Sequence, residues 1–459
     1  GFLRSNVGGE EVLTDRIAAW NGSRWETVGP VGGPSVGNSP VLGRVHAILV
    51  DGDTVYVGGS FDRVGGVAAR NLARYDRQTG RWSPVGSGGG NGANNTVLAL
   101  HLDGGNLYIG GAFTEVNVGA PVAASRVARW DGTSWSALGD GAGQGVDSQV
   151  EALSLCGGSL YVGGSFTAAN VGAPIVANRI ARWDGASWSP VGSGAGNGLS
   201  SNVFALACAD GDLVAGGAFS SANLGDPVPA NRIARWDGSA WHPLGSGAGN
   251  GVNNFVYTLL ALDDGLVVGG EFTQTNVGAA ISANRIARWD GSGWSAFGSG
   301  AANGVDAAVR TIAASGSELY VGGSFTTADA GAPLPASRVA HWTGSGWAPL
   351  GSGTDAPVRA LALLGADELA VGGDFGRAGG KLTHRFDLYR ARGTLSVSID
   401  AGQGSVVGSP SGIACPGTCS ANFGWDVPIT LTALPAPGYR LEGWTVAGSV
   451  GGGCTGTGP

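Results

Sequence analysis

Ten side chains carrying hydrogen-bonding oxygens recur at two fixed places along the chain. One series is Asn117, Asn170, Asn223, Asn276 and Asp329. The other is Asn94, Asp147, Asn253, Asp306 and Asp355, with Ser200 in the remaining copy. Two chemistries suit such residues. They cap their own turns, as Asn and Asp do in glycine-rich loops, or they form a ligand surface for glycan hydroxyls or Ca²⁺. Calcium needs several convergent oxygens, and one carboxylate per copy is thin support. No other cofactor is indicated. Repetition also argues against a single catalytic pocket, which should break the symmetry in one copy.

No catalytic set appears elsewhere. The five histidines, His46, His101, His242, His341 and His384, occupy different places in the repeat. His46 and His101 both lie on first strands, but out of register. No His/Asp/Ser or His/Cys/Asp grouping follows, and no phosphate loop, dinucleotide fingerprint or zinc-protease motif is present. Catalytic and metal-ligating residues are therefore not assigned.

The elements that position these residues come from an internal repeat. Gly-Gly-x-Phe ends at Phe61, Phe113, Phe166, Phe219, Phe272, Phe325 and Phe375, at intervals of 52, 53, 53, 53, 53 and 50 residues. Gly1-Phe2 reads as the tail of a further copy, with Asn6 and Arg16 where later copies have Asn170 and Arg179. Within one unit, Val150–Leu155 alternates as a strand and Leu160–Phe166 follows after a Gly-Gly turn. Residues Asn178–Trp183 and Trp188–Gly192 then flank the hairpin signal Asp184-Gly185. Four short antiparallel strands per repeat of this length predict an all-β propeller. If residues 15–29 complete the unit begun at 358–375 the ring has seven blades; if further strands precede it, the alternative is eight.

The repeated residues have structural roles in this reading. Phe166 and its equivalents wedge between blades, and the preceding glycines permit close backbone approach. Of the 15 tryptophans, 13 fall in a paired pattern such as Trp183/Trp188, which suits packing of the wider outer part. Arg129, Arg182, Arg235 and Arg288 sit beside the pairs, each head expected on a carbonyl or an Asp such as Asp184.

Composition narrows the function classes. Hydrophobic residues are 43% and charged residues 13%, enough apolar material for a core and too few charges for a disordered chain. Lys+Arg number 26 against Asp+Glu 34, a net charge of −8, so no basic footprint for nucleic acid exists. No apolar run reaches the roughly 18 residues of a membrane span. There is no methionine, and the chain starts inside a repeat, so it reads as a fragment or processed form.

Ala73-Arg-Tyr75-Asp-Arg-Gln-Thr-Gly-Arg-Trp82, preceded by Gly58-Gly59, resembles a kelch repeat. The Val-Gly-Gly-Ser-Phe and Arg-Ile-Ala-Arg-Trp patterns are also similar to the extracellular propellers of the fungal cortical polarity-marker family and of secreted bacterial proteins. The resemblance spans residues 1–391 and implies the propeller fold. The tyrosine and histidine copper ligands of galactose oxidase, an enzyme relative of kelch propellers, have no match. Residues 392–459, with Cys415-Pro-Gly-Thr-Cys419 and Val427–Ala433, resemble the divergent internalin-B-type repeat of bacterial surface proteins, here truncated. That resemblance implies export.

Five cysteines are present. Cys415 and Cys419 are expected to bridge each other, since a zinc site would need a second Cys or His pair nearby. Cys156 and Cys208 lie in equivalent strands of adjacent units, as an interblade disulfide or as buried thiols. Cys454 is left without a partner. An oxidising compartment fits.

The preferred expectation is a secreted or cell-surface bacterial interaction module, non-enzymatic, binding protein or glycan but not nucleic acid. The alternatives are a structural component of a surface layer or fibre, and a carbohydrate-active hydrolase or lyase using the polar face.

Overall fold

A computed structural model describes residues 43–438 apart from short internal stretches, together with four short strands before residue 28. Among the described residues there is no α-helix, and no helix is long and apolar enough to cross a membrane. Strands Arg44–Asp51, Thr54–Ser60, Leu72–Asp76 and Arg81–Pro84 form one antiparallel sheet in chain order. Five further four-stranded sheets repeat this order, with first strands Val97–Asp103, Val150–Cys156, Val203–Ala209, Val256–Leu262 and Val309–Ser315.

The seventh sheet is built differently. Val358–Gly365, Glu368–Gly373 and Phe386–Arg390 supply its first three strands. Ala18–Trp20 and Trp25–Thr27 then add outside them, with Ala18 opposite Asp387 in parallel register. The early residues thus join the sheet begun at 358, but as fourth and fifth strands, because Phe386–Arg390 already holds third place.

First strands pack side by side around an axis, each against the next, and that of the seventh sheet packs against Arg44–Asp51. The glycine pairs make this possible. A Cβ on Gly163 would lie 2.6 Å from Val203 Cγ1 of the next sheet, and one on Gly372 would lie 2.4 Å from Val45 Cγ1. The second glycine of each pair leaves room within its own hairpin: a Cβ on Gly164 would fall 2.0 Å from the Gln149 carbonyl oxygen. Arg77 of the first sheet also donates to Glu368 of the seventh at 2.6 Å and to the Leu364 carbonyl. The sheets therefore close a ring, an all-β propeller.

Cores lie between neighbouring sheets. Phe113, Phe166, Phe219, Phe272, Phe325 and Phe375 are fully buried. Cys156, Tyr161, Ile180 and Val191 of the third sheet pack with Val203, Phe219 and Trp241 of the fourth. Trp130/Trp135 and Trp183/Trp188 each pack at 5.3 Å between ring centroids, and Trp188 Nε1 donates to the Leu138 carbonyl of the preceding sheet at 2.9 Å.

The Sγ atoms of Cys156 and Cys208 are bonded, with Cα atoms 5.3 Å apart, joining the third and fourth sheets. In the C-terminal segment Cys415 and Cys419 are bonded. There Arg392–Ser396 pairs with Ser420–Gly424, and Gly404–Ser409 pairs with Ala414–Cys415 and Thr430–Pro435. Gly1, Phe2, Arg16, His384 and Cys454 lie outside the described residues.

Candidate functional site: the loop-bearing face and its axial mouth

Two kinds of loop open on one face: those joining second to third strand, and those carrying the chain to the next sheet. They pair with each other, as where Gln144–Val146 meets Ala168–Val171. The ten predicted Asn and Asp residues all lie here, in two tiers.

The first tier holds left-handed backbone. Asn117, Asn170, Asn223, Asn276 and Asp329 have φ of 58°, 60°, 50°, 45° and 47°. Asn and Asp tolerate this region better than other side-chain-bearing residues. Asn117 is buried; its Oδ1 accepts from Ser87 N at 2.8 Å and its Nδ2 donates to the Ser87 and Ala120 carbonyls. Asn223 Oδ1 accepts from Ser193 N at 2.9 Å. Asn170 Nδ2 donates to the Ala173 carbonyl at 3.1 Å. The backbone amides of Asn276 and Asp329 donate to the Gly251 and Gly304 carbonyls, each at 2.7 Å.

The second tier caps the loop beside it. Asp147 accepts from the amides of Thr167 and Ala168 and from Thr167 Oγ1. Asp306 does the same with Thr326 and Thr327. Asn94 and Asn253 bind the amides of Thr114/Glu115 and Thr273/Gln274 through Oδ1. Asp355 accepts from Gly376 and Arg377, and Ser200 from Ser220 and Ser221. Burial pushes the Asp147 and Asp306 carboxyls up, but the amide and hydroxyl donors outweigh it and hold both below the usual range. Among the described residues no group of three or more His, Cys, Asp or Glu converges as a metal site.

Two features of this face were not anticipated from the sequence. Arg126, Arg179, Arg232, Arg285 and Arg338 adopt φ between 65° and 67°. Arg179 Nη1 offsets the cost by donating to the Phe166 carbonyl at 3.0 Å, fastening the loop to the wedge phenylalanine. Buried Asn197, Asn250 and Asn303 form a further bracing layer; Asn197 Oδ1 accepts from Asn178 N and its Nδ2 donates to the Val176 carbonyl. The Arg182 head binds Ser159 Oγ at 2.9 Å, while Asp184 caps its own turn through the amides of Ala186 and Ser187. Arg235 and Arg288 pair with Asp212 and Asp264.

The second feature is a ring of β-bulges at the axis. Every first strand skips one residue in its register with the second, between Val45 and Ala47, Val97 and Ala99, Val150 and Ala152, Val203 and Ala205, Val256 and Thr258, Val309 and Thr311, and Val358 and Ala360. The skipped residues are His46, Leu98, Glu151, Phe204, Tyr257, Arg310 and Arg359. A bulge re-aims its side chain, and such positions recur next to functional sites. The flanking residues are nearly invariant: Val before, Ala or Thr after, then Leu or Ile. The bulged residue is not constant: it is His, Leu, Glu, Phe and Tyr once each and Arg twice. A cavity of about 220 Å³ lined by all seven first strands opens here, with His46, Phe204, Tyr257 and Arg359 among its walls.

The mouth is asymmetric. Phe204 packs 5.6 Å from Tyr257 and 6.2 Å from Phe255. The Arg310 guanidinium stands 4.9 Å over the Tyr257 ring, a cation–π arrangement. Burial and a hydrogen bond to Glu271 push the Tyr257 hydroxyl up to about 12. Arg359 grips Asp374 with two bonds, at 2.8 and 2.7 Å, and Arg44 adds a third charge. Burial, reinforced by Arg359, lowers His46 to about 4, so its imidazole is neutral. Glu151 is pushed up by burial, partly opposed by Gln149, whose Nε2 donates to Oε1 at 2.6 Å.

Sheet order and ring closure define a β-propeller. Among solved structures, the chain is similar to the computationally designed Ika8 protein, at 14% identity and TM-score 0.44, covering 76% of this chain and 96% of that one. It is also similar to the WD40 β-propeller domain of Doa1, at 13% identity and TM-score 0.45, covering 73% of this chain and 91% of that one. No protein-family model and no curated protein matches the sequence.

Proposed function

We propose that the chain is a non-catalytic interaction platform that takes a protein or glycan on its loop-bearing face, outside the cytoplasm of a bacterium. The observation carrying this reading is the ring of bulges: in an otherwise uniform repeat, chemistry varies where side chains meet the axial opening. Aromatic and arginine side chains around a water-excluding rim are the usual make-up of a binding hot spot. Two of the acids at the mouth are committed, Asp374 to Arg359 and Glu271 to Tyr257. Two disulfides, the kelch-like repeats and the internalin-like tail support an exported location. The rim Asn and Asp residues act in this reading as braces rather than as a calcium or sugar surface.

The test is a random 12-residue peptide display selection and a glycan array, both on the folded chain, with Phe204→Ala as counter-screen. Binders retained by the parent and lost on the variant are expected. Blank results in both formats, or binders indifferent to Phe204→Ala, overturn the proposal.

A further inference from the structure

Glu151 occupies the bulge between Leu98 and Phe204 in ring order. Its side chain is half-buried, and Gln149 is its hydrogen-bonding neighbour. No ion pair to Glu151 occurs among the described residues, whereas Asp374 holds Arg359 and Arg44. Partial burial of a carboxylate without a cation carries a cost. In ring order Arg310 lies beyond Phe204 and Tyr257, its guanidinium over the Tyr257 ring, and Arg359 lies beyond His46 and Leu98, held by Asp374.

The wall beside Glu151 is aromatic. Phe204, Phe255 and Tyr257 pack within 6.3 Å of one another and remain only partly buried. The Glu151 strand packs against the Phe204 strand, and a carboxylate next to aromatic rings suits a cationic head entering from solvent.

A second observation places the rest of the partner. Among the described residues of the ring of sheets, the exposed large apolar side chains are Val171 (37%), Val176 (53%), Leu224 (38%) and Ile281 (38%). All four sit on second-to-third-strand loops of the third, fourth and fifth sheets, the sheets that carry Glu151, Phe204 and Tyr257. Exposed Asp226 and Asp147 share the sector. The loops thus offer apolar area and negative charge outside a mouth of aromatic rings and an unpaired carboxylate.

We infer that this sector binds a polypeptide segment that inserts one Arg or Lys side chain between Glu151 and the Phe204–Phe255–Tyr257 cluster, and lays apolar residues across Val171, Val176, Leu224 and Ile281. The inference rests on the platform reading and deepens it. A sugar would stack on the same rings, but it would gain nothing specific from the unpaired charge and would leave the apolar loops uncovered.

Saturation-transfer NMR on the folded chain tests this with Nα-acetyl-arginine methylamide and Nα-acetyl-lysine methylamide as probes. Their neutral counterparts built on citrulline and norleucine, and methyl glucoside, serve as comparisons. The basic probes are expected to bind about tenfold more tightly than the neutral ones, and Glu151→Gln is expected to abolish that difference. Phe204→Ala is expected to weaken both basic probes, and a melting curve checks that each variant is folded. Equal binding of arginine and citrulline probes, undiminished binding by Glu151→Gln, methyl glucoside as the strongest ligand, or no saturation of any probe overturns the inference. Peptides from the display selection that are lost on Phe204→Ala but kept by Glu151→Gln would leave the platform standing and remove the cation.

Discussion

Gly372 faces Val45 so closely that a Cβ would lie 2.4 Å from the valine methyl, the same relationship that Gly163 has to Val203. The first pair joins the last sheet to the first; the second joins two neighbours inside the repeat. The ring closes because one kind of contact is used at every step.

The contact sets the first expectation. Gly163→Ala should destabilise the fold by about 1–3 kcal/mol through overpacking. Val203→Ala should also destabilise it, by leaving a cavity. Combined, the two should cost clearly less than their sum, because the new methyl enters the space vacated. Urea denaturation of the four proteins measures the coupling, and strict additivity would count against the interblade contact.

Arg179 has φ of 66° and donates to the Phe166 carbonyl. Arg179→Ala loses the bond and keeps the left-handed strain, while Arg179→Gly loses the bond and relieves the strain. Glycine should therefore be the milder replacement by about 1 kcal/mol, which denaturation will read directly.

The Cys156–Cys208 bond spans 52 residues of sequence and ties the third sheet to the fourth. Reducing it, in a Cys415→Ala/Cys419→Ala background, should cost about 2–4 kcal/mol. Calorimetry with and without reductant measures the loss.

His46 should titrate at about 4 by NMR, because burial, reinforced by Arg359, opposes its charging. In the unfolded chain it takes up its proton near the ordinary value of about 6.5. Falling pH then favours the unfolded state, so His46 contributes a loss of stability between roughly pH 6.5 and 4. His46→Gln should flatten the dependence of urea midpoint on pH in that window.

Much of the fold was legible because the structural work is shared by repeated residues. The Gly-Gly-x-Phe spacing marks the second strands, and Trp183 and Trp188 mark the outer hairpin. The left-handed arginines were hidden: nothing in Asn-Arg-Ile-Ala-Arg says that Arg179 precedes the strand Ile180–Trp183 rather than belonging to it. The repeated Asn and Asp drew attention as candidate ligands because they recur, and recurrence is what a brace requires. Glu151, Phe204 and Tyr257 escaped notice because each is solitary. The signal was present in the column after the constant valine, where uniform neighbours enclose unlike residues. Cys156 and Cys208 stayed ambiguous because a one-position offset between strands does not fix whether two side chains face each other.

Braces and the proposed binding residues share one face, and a single comparison separates them. Glu151→Gln/Phe204→Ala and Asp147→Ala/Asp306→Ala are each tested for melting temperature and for retention of peptides selected on the parent chain. The mouth pair is expected to lose retention while melting within about 2 °C of the parent. The rim pair is expected to keep retention while melting a few degrees, about 2–4 °C, lower, through lost loop hydrogen bonds. Retention lost by the rim pair and kept by the mouth pair would contradict the account.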